Sequence, residues 1–540
     1  MSDVIVIGGG CAGTAVARDL SLRGLKVTLI ERGDLASGAT GRCHGVLHSG
    51  ARYAVTDPAS AQECAQENFI LKSILSPVIE DTGCVFATVT DDGYVGRFLK
   101  GCKSCGVLIE ELSPRETFER EPSLTPDISW AVLTQDASCD TFKATVLTAL
   151  DARRHGAEIK PYTAVVGVVA EESSVVGVRV KDDTRVHELS ADVVVNATGP
   201  WVKGLSPELE CSLVKGSHVV VGERLVQSVV HHLRSPAEGD ILVPLHGSTI
   251  LGTTSVAVDS PANMVTEGEV RRIIEECATL VPNVKNSRII RAYAGTRVLF
   301  GATRQFCVIN DWENLFTVAG GKWTTHRRIA EVVSDAVCDY LGVHARCTTA
   351  FEPVIEGAFG VAFTRNGQRD VKGHVKGGMD VTSTENLSRR ATSVGASDQL
   401  DQSGVTSEEN IARYVKSKTS DAEVVCFCES VVHQEISYAI EQLRAQTIDD
   451  VMRRTRAGFG PCQGSFCSVK VAAELIAHGK DPLSVQEDLK ASLRRRSRGV
   501  LPILRESEAQ LRQEILKRHL YELYGNYDEV GVRPHTPNDE

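Results

Sequence analysis

The sequence predicts an α/β fold with three parts: a Rossmann-like domain around a parallel sheet, a β-rich insertion, and a small helical domain that carries cysteines. Residues 3–32 have the pattern of a β-turn-α-β unit with a glycine turn. Residues 213–225 and 241–258 are rich in β-forming residues. After residue 424 the scattered cysteines give way to two closely spaced cysteine pairs between helical stretches.

The opening unit has the features of a dinucleotide-binding site. Residues 4–7 form a short, β-branched apolar run, which suits a buried parallel strand. Gly8, Gly10 and Gly13 follow as G-x-G-x-x-G, which allows a tight turn, approach of backbone amides to a pyrophosphate, and close helix packing. Glu31 lies about 20 residues further on, where it can accept a hydrogen bond from a ribose 2′-hydroxyl. Strand, helix, second strand and acid in register predict a bound dinucleotide.

Composition excludes several classes of protein. The chain has 540 residues, of which 42% are hydrophobic and 24% charged, which is ordinary for a globular protein of roughly three or four domains. A net charge of -11 leaves no broad positive excess for binding nucleic acid. The sequence predicts no signal peptide, because its start, MSDVIVIGGG, has no basic region. It predicts no membrane span, because no apolar run reaches about 18 residues. The 16 cysteines read as reduced thiols or metal ligands.

The segment after the opening unit has the composition of a ligand-binding loop. Residues 36–53, ASGATGRCHGVLHSGARY, are rich in Gly, Ser and His. Together with the opening unit, this segment resembles the FAD-dependent glycerol-3-phosphate dehydrogenases. The resemblance implies that the loop wraps the flavin and that Arg52 and Tyr53 face the substrate. By composition alone Arg52 can equally be a solvated loop arginine, and His44 and His48 leave a covalent flavin link open.

A second segment completes the flavin site in this resemblance. Residues 192–201, DVVVNATGPW, are an apolar strand followed by a turn of small residues. The resemblance implies a two-dinucleotide-type FAD domain, discontinuous in sequence, with an inserted mixed β-sheet substrate domain. The cofactor contacts that it implies are Gly8, Gly10, Gly13, Glu31, Arg32, Thr40, Gly41, His44, Ala197, Thr198, Gly199, Gly321, Lys322 and Thr324.

Residues 206–304 contain the candidates for substrate binding. His218 lies in a β-rich segment, where a lone histidine is more often a satisfied core residue. Arg291, Arg297 and Arg304 lie so close in sequence that they must be at the surface or paired with an anion. The resemblance implies that His218 is the base and that Arg297 and Arg304 bind phosphate. Which cation contacts phosphate and which steadies the alkoxide stays open. The implied catalytic set is His218, Arg52, Arg297, Arg304, Lys322 and Tyr53.

The late cysteines form a candidate metal centre. Cys426 and Cys428 make a C-x-C motif, and Cys462 and Cys467 make a C-x₄-C motif. A structural zinc site is the plain alternative, because four cysteines also bind zinc in small domains. The spacing instead resembles the [2Fe–2S] domain of the bacterioferritin-associated ferredoxin type. The glycines around Cys462 can bring backbone amides toward the sulfurs.

The resemblance sets the predicted boundaries. The FAD-dependent oxidoreductase is expected over residues 1–345. Its FAD parts are expected at about 1–85, 130–205 and 305–345, with the substrate insert at about 206–304. The remaining segments are expected to be a linker with short helices at 346–423, a [2Fe–2S] cysteine domain at 424–490, and a docking tail at 491–540. Four arginines followed by an apolar segment favour a docking tail. The alternative is that the arginines form a solvated helix face.

Both domains together resemble the catalytic subunits of anaerobic glycerol-3-phosphate dehydrogenases. This implies oxidation of sn-glycerol 3-phosphate to dihydroxyacetone phosphate, with electrons passing from FAD through a [2Fe–2S] cluster to partner subunits of the B and C type. Menaquinone or ubiquinone is then the indirect acceptor, and the protein is cytoplasmic, peripheral on the inner face of the cell membrane. The alternatives are an FAD enzyme for a 2-hydroxy acid such as 2-hydroxyglutarate, and a non-catalytic electron-transfer or redox-sensing subunit.

Overall fold

The computed structural model describes residues 3–182, 184–261, 264–301, 303–354 and 423–506. Within these ranges a six-stranded and a nine-stranded sheet carry most of the apolar core. Residues 423–506 form a small helical unit, which we call the cysteine domain. Most of the predicted linker, residues 355–422, and the end of the chain from residue 507 lie outside the described residues.

The six-stranded sheet is the Rossmann-like part of the fold. In spatial order it contains β20 (Phe306–Trp312), β21 (Leu315–Gly320), β13 (Val193–Asn196), β1 (Asp3–Ile7), β2 (Lys26–Ile30) and β9 (Glu158–Lys160). Neighbours are parallel except β20, which is antiparallel to β21. The central strands are buried, as continuous β-branched runs predict for a sheet covered on both faces. The strands come from separate stretches of the chain, so the predicted discontinuous domain is confirmed.

Helices α1 (Cys11–Leu22), α5 (Thr141–Arg154) and α7 (His326–Leu341) pack with this sheet. The turn from β1 to α1 depends on two glycines. Gly8 has a φ of 115°, a backbone conformation that residues other than glycine rarely adopt. A Cβ atom at Gly13 would lie 1.9 Å from the carbonyl oxygen of Gly8, so only glycine lets the helix pack this closely.

The nine-stranded sheet is mixed, as predicted for the substrate domain. In spatial order its main path contains β18 (Val256–Val258), β14 (Ser212–Val221), β17 (Ser248–Gly252), β16 (Ile241–Leu245), β15 (Val229–His232), β5 (Cys84–Thr88), β7 (Trp130–Thr134) and β6 (Ile109–Leu112). Strand β19 (Ile289–Leu299) pairs with β14, and helix α6 (Glu267–Leu280) packs on the sheet.

The predicted limits of the substrate insert, residues 206–304, are too narrow. Strand β15 pairs in parallel with β5, and β5 pairs with β7, so residues 84–134 contribute to the same sheet. These short strands carry no turn or charge signal that assigns them to one sheet or the other. They join this sheet because the edge of β15 presents backbone N–H and C=O groups that a further strand can bond.

Smaller elements connect the two sheets. Strands β10 (Ala164–Glu171), β11 (Ser174–Lys181) and β12 (Val186–Ser190) form two antiparallel hairpins. The remaining strands and helices before residue 346 are β3 (Val46–Leu47), β4 (Ile79–Glu80), β8 (Ala137–Cys139), α2 (Pro58–Ile74), α3 (Tyr94–Ser104) and α4 (Pro114–Arg120).

The cysteine domain has the predicted helical character. Its elements are β22 (Val424–Cys426), β23 (Val431–Val432), α8 (His433–Glu441), α9 (Ile448–Thr455), α10 (Cys467–Ala477) and α11 (Pro482–Val500). Its helices close around a small apolar core that includes Ile436, Val451, Val471 and Leu475. Within the described ranges, no helix has both the length and the apolar character that crossing a bilayer requires.

The prediction of a docking tail from residue 491 is wrong as far as residue 506. Val500 and Ile503 are buried in the core of the nine-stranded sheet. On the same helix, Arg495 is paired with Asp449. The apolar segment after the arginines therefore packs against its own chain, and the part of the predicted tail from residue 507 lies outside the described residues.

Buried ion pairs attach the cysteine domain to the loop that follows β2. The Asp34 carboxylate accepts hydrogen bonds from Arg453 Nε at 2.7 Å and from Arg454 at 2.8 and 2.9 Å, and its side chain is 1% exposed. Burial raises the pKa of Asp34, but the two arginines outweigh this effect and lower the pKa to about 2. The carboxylate therefore stays charged and holds the two domains together.

We expect Asp34→Asn to loosen this attachment. Removing one partner of a buried ion pair costs roughly 3–5 kcal/mol, because the other charges stay buried. Since the folded pKa lies below the unfolded value of about 4, the Asp34 contribution is present above that pH and is lost as pH falls toward about 2. Thermal unfolding near neutral pH should show a clearly lower Tm for the variant. Asp335→Asn is the matched control, since Asp335 is 54% exposed in its ion pair; equal Tm values for both variants would contradict the expectation.

Candidate functional site

A large cavity lies where the parallel strands of the six-stranded sheet end. Strands β1, β2, β13 and β21 are followed at their carboxyl ends by residues that line it, as is general for ligand sites in open α/β sheets. The other wall comes from β14 and β19 of the nine-stranded sheet. The volume is about 1380 Å³. This exceeds the roughly 300–1,000 Å³ of ordinary small-molecule pockets, so a dinucleotide and a substrate fit together.

One end of the cavity is built for a dinucleotide. The Glu31 carboxylate accepts hydrogen bonds from Gly9 N at 2.7 Å and from Gly33 N at 2.8 Å, which fixes it at the wall. The Arg32 guanidinium lies 4.0 Å from the ring centroid of Trp201. Gly10, Cys11 and Ala12, at the start of α1, line this end, where a helix N-terminus favours a phosphate. The residues present therefore fit a dinucleotide.

Most of the predicted cofactor contacts line the cavity, but two do not. Gly13 and Gly41 are absent from its wall. Gly13 is needed for the packing of α1, and a Cβ at Gly41 would lie 2.2 Å from Phe142 Cε1. Both glycines shape the site through packing, and their contact with the cofactor stays a prediction. The predicted residues that do line the wall are Gly8, Gly10, Glu31, Arg32, Thr40, His44, Ala197, Thr198, Gly199, Gly321, Lys322 and Thr324.

His218 lies at the opposite end of the cavity, on β14. Its ring stacks on Tyr293 of β19, with centroids 5.0 Å apart. The residue is 4% exposed, and neither ring nitrogen has a hydrogen-bond partner among the described residues. Burial, and secondarily the charge of Arg297, lower the pKa of His218 to about 3. A buried, neutral and unpartnered imidazole in a cavity wall is arranged to meet a ligand rather than to satisfy the core.

The predicted cations converge on the same end. Arg297 donates to Thr254 O at 2.9 Å, while its Nε has no partner in the described part of the chain. Burial, together with the charges of Arg304 and Arg52, lowers the pKa of Arg297 to about 10. Lys322 Nζ donates to Arg304 O at 2.8 Å and lies 5.4 Å from the ring centroid of Tyr53. The cations thus raise the local positive potential where His218 lies.

Two carboxylates at this end were not predicted from the sequence. Asp240 pairs with Arg52 at 3.1 Å, and Glu63 lies 3.7 Å from Lys322. Both come from segments that carry no motif, so the sequence offered no signal for them. They hold two of the cations in place and leave Arg297 and Arg304 to face the cavity.

A second histidine also points into the site. His48 Nδ1 lies 3.3 Å from Asp136 Oδ1, and the His48 ring packs edge-on against Tyr53 with centroids 5.4 Å apart. Asp136 is fully buried and also accepts from Ser49 and Thr134. A carboxylate that fixes one ring nitrogen of a histidine leaves the other to act on a ligand. The sequence singles out His48 only for a covalent flavin link and gives no signal for its pairing with Asp136.

The four predicted cysteine ligands lie together as two pairs. A hydrogen bond between the thiols of Cys426 and Cys467 lowers the pKa of Cys426 to about 6 and raises that of Cys467. Burial, and secondarily the neighbouring thiol of Cys462, raise the pKa of Cys428, which is exposed. Among the described residues, no three His, Cys, Asp or Glu side chains converge as the ligands of a single metal ion would. Two pairs of thiols fit a centre of two iron atoms with four cysteine ligands.

Comparison with protein families identifies both centres. The family described as FAD dependent oxidoreductase matches residues 3–336, and the BFD-like [2Fe-2S] binding domain matches residues 424–477. FAD and a [2Fe–2S] cluster are therefore the cofactors, as the sequence analysis predicted.

Similar proteins agree with these matches. The chain is 36% identical over 539 residues to the A subunit of the anaerobic glycerol-3-phosphate dehydrogenase of Escherichia coli (strain K12), covering 94% of this chain and 95% of the relative. It is 36% identical over 562 residues to the A1 subunit of the same enzyme from Haloferax volcanii, covering 97% and 91%. The fold resembles the FAD-complexed glycerol-3-phosphate dehydrogenase of Bacillus halodurans, with a TM-score of 0.64, 22% identity, and 93% and 96% coverage. The chain therefore belongs to the family of anaerobic glycerol-3-phosphate dehydrogenase A subunits, FAD-dependent oxidoreductases with a C-terminal [2Fe–2S] domain.

Proposed function

We propose that this protein oxidises sn-glycerol 3-phosphate to dihydroxyacetone phosphate and passes the electrons through its [2Fe–2S] cluster to partner subunits. One observation carries the proposal: an unpartnered, buried His218 shares one end of the cavity with Arg297, Arg304, Arg52 and Lys322. A secondary alcohol next to a phosphate needs this combination of a base and cations. The similar proteins are named as glycerol-3-phosphate dehydrogenases. Their names do not favour the alternative function, oxidation of a 2-hydroxy acid.

The proposed role of His218 is to take the proton of the substrate hydroxyl. Bound FAD supplies the acceptor for the hydride of the substrate carbon. The carbon gives up hydride more readily as the hydroxyl loses its proton, so a neutral base must lie beside it. The pKa of His218, about 3, keeps the ring neutral at physiological pH, and the missing hydrogen-bond partners leave its unprotonated nitrogen available to take the proton.

The proposed role of the cations is to bind the phosphate and steady the alkoxide. Guanidinium groups present paired N–H donors that match phosphate oxygens. Arg297 and Arg304 are assigned to phosphate because Asp240 and Glu63 already hold Arg52 and Lys322. Arg52, Lys322 and Tyr53 then complete the wall near the reacting carbon.

The onward route of the electrons belongs to the same proposal. The relatives are named as A subunits, so we infer that this chain works with electron-accepting subunits of the B and C type. Menaquinone or ubiquinone would be the indirect acceptor. The protein would then lie in the cytoplasm, on the inner face of the cell membrane, attached through its partners.

Replacing Arg297 by alanine should weaken substrate binding far more than it disturbs the fold. A charge-assisted hydrogen bond is worth roughly 1.5–3 kcal/mol, which is on the order of 10- to 100-fold in affinity. The apparent Kd from flavin bleaching by glycerol 3-phosphate measures this loss. Arg179→Ala is the control, because Arg179 lies on β11 in an exposed ion pair. Equal affinity in both variants, with FAD bound, would remove Arg297 from the phosphate site.

Replacing His218 by glutamine should slow flavin reduction by roughly 10²- to 10⁴-fold, the usual contribution of a general base. The FAD content should stay normal, since His218 lies on β14 and belongs neither to the dinucleotide turn nor to α1. Anaerobic stopped-flow absorbance measures the rate. His48→Gln is the comparison, because His48 and Asp136 form the other candidate base. A normal rate in the first variant and a collapse in the second would transfer the role of the base to His48.

Replacing Cys462 by serine should remove the cluster and stop electron delivery to an external quinone. Reduction of FAD by glycerol 3-phosphate should continue, because His218 and the cations lie outside the cysteine domain. Iron content, the electron paramagnetic resonance signal of the reduced cluster, and flavin bleaching report on these steps separately. Cys338→Ser is the control, as this buried thiol belongs to the core around α7. Quinone reduction at the wild-type rate, or zinc in the native site, would refute the electron route.

A further inference from the structure

The aromatic ring of Phe459 lies between the loop that carries Cys462 and the flavin domain. Phe459 precedes Gly460 and Pro461 in this loop, and its carbonyl oxygen accepts a hydrogen bond from Gln463 Nε2 at 3.1 Å. A Cβ atom at Gly460 would lie 2.3 Å from Cβ of Cys428. The backbone next to Phe459 therefore packs directly against a cluster ligand, and the position of the ring is tied to the position of the cluster.

From Phe459, a first chain of contacts leads to the flavin-binding loop. The Phe459 ring lies against Phe142, with centroids 5.6 Å apart. Phe142 in turn fills the space beside Gly41, where no side chain would fit. Gly41 adjoins Thr40, which lines the dinucleotide end of the cavity.

A second chain of contacts leads from the same ring to the substrate end. The Arg291 guanidinium lies 4.6 Å from the ring centroid of Phe459 and 5.6 Å from that of Tyr293. Tyr293 donates a hydrogen bond to Cys43 O at 3.0 Å and stacks on His218. Both chains therefore start at Phe459 and end in the loop at residues 40–44 or beside the proposed base.

Buried charges hold this contact in place. Arg456, which is 4% exposed, lies 5.2 Å from the Phe459 centroid and pairs with Glu429 at 3.2 Å and with Asp140 at 3.4 Å. Glu429 follows the predicted ligand Cys428, and Asp140 is the N-cap residue of α5. One arginine thus links the cluster loop to the flavin domain beside the aromatic ring.

We infer that Phe459 is a positioning residue that fixes the cluster-binding loop against the flavin-binding loop and thereby governs electron transfer between the two centres. The inference rests on the proposed function. Oxidation of one alcohol to a ketone yields two electrons and two protons, and the protons go to solvent. A cluster held by Cys426, Cys428, Cys462 and Cys467 would supply one-electron transfer, so the two electrons would leave one after the other to the electron-accepting partner. Each transfer therefore depends on how closely the two loops are held.

The test compares Phe459→Leu with Phe459→Tyr in the full-length protein loaded with both cofactors. We expect Phe459→Leu to slow cluster reduction several-fold, because loss of the ring lets the cluster-binding loop move away from the flavin-binding loop. Flavin bleaching and iron content should stay at wild-type values, and Phe459→Tyr should restore the rate. Flavin bleaching is followed by stopped flow, and cluster reduction by electron paramagnetic resonance after rapid freezing. The matched control is Phe466→Leu, since Phe466 is 73% exposed in the same domain beside Cys467.

Two further experiments distinguish a failure of the proposed function from a failure of the inference about Phe459. Flavin is reduced either by glycerol 3-phosphate or by light with a sacrificial donor. If only light reduces it, the proposed function fails, while the rate of cluster reduction still tests Phe459. If Phe459→Leu binds no cluster, Phe142→Leu replaces it, because it removes the facing ring from outside the cysteine domain. Wild-type cluster reduction in every variant that binds the cluster, or slowing equal to that of Phe466→Leu, would overturn the inference.

Discussion

The parallel pairing of β1 with both β2 and β13 is the constraint on which the site depends. These pairings bring three strand ends to one edge of the sheet, so Gly8, Glu31 and Ala197 reach the same cavity. The edge can accept a phosphate only if α1 starts directly there. That start requires Gly13 to pass within contact distance of the Gly8 carbonyl oxygen. Backbone packing and cofactor binding are therefore set by the same residues.

The opposite end of the cavity is an electrostatic site that is complete only with a ligand. Burying Arg297 is costly without an anion, and its pKa, lowered to about 10, reflects that cost. Asp240 and Glu63 compensate Arg52 and Lys322. The positive charge left over, beside a neutral histidine, suits a phosphate monoester that carries an oxidisable alcohol.

The sequence predicted what depends on local pattern. The glycine turn, the buried strands and the cysteine motifs follow from spacing and apolar periodicity, the discontinuous FAD domain is implied by the resemblance, and the structure agrees. The partners that act at a distance were not predictable: Asp136 behind His48, Asp240 beside Arg52, and Asp34 between two arginines of another domain. These residues meet only after the sheets assemble, and no motif surrounds them.

The two errors of prediction have the same origin. Strands β5 to β7 carry no signal that assigns them to a sheet, and they join the substrate sheet because β15 offers them an edge. The segment after the arginines of α11 looks like a docking tail, and it is buried because the nine-stranded sheet exposes an apolar face to Val500 and Ile503. Amphipathic patterns show that a segment will be buried, but not against which partner.

The most direct test of the account is the visible spectrum of the anaerobically purified protein before and after addition of glycerol 3-phosphate. The account predicts a spectrum of FAD and a [2Fe–2S] cluster, in which glycerol 3-phosphate bleaches the flavin band and then the cluster absorbance. 2-Hydroxyglutarate at the same concentration should leave both unchanged. Bleaching by 2-hydroxyglutarate alone, or by neither compound, would contradict the central claim that this cavity oxidises a phosphorylated secondary alcohol.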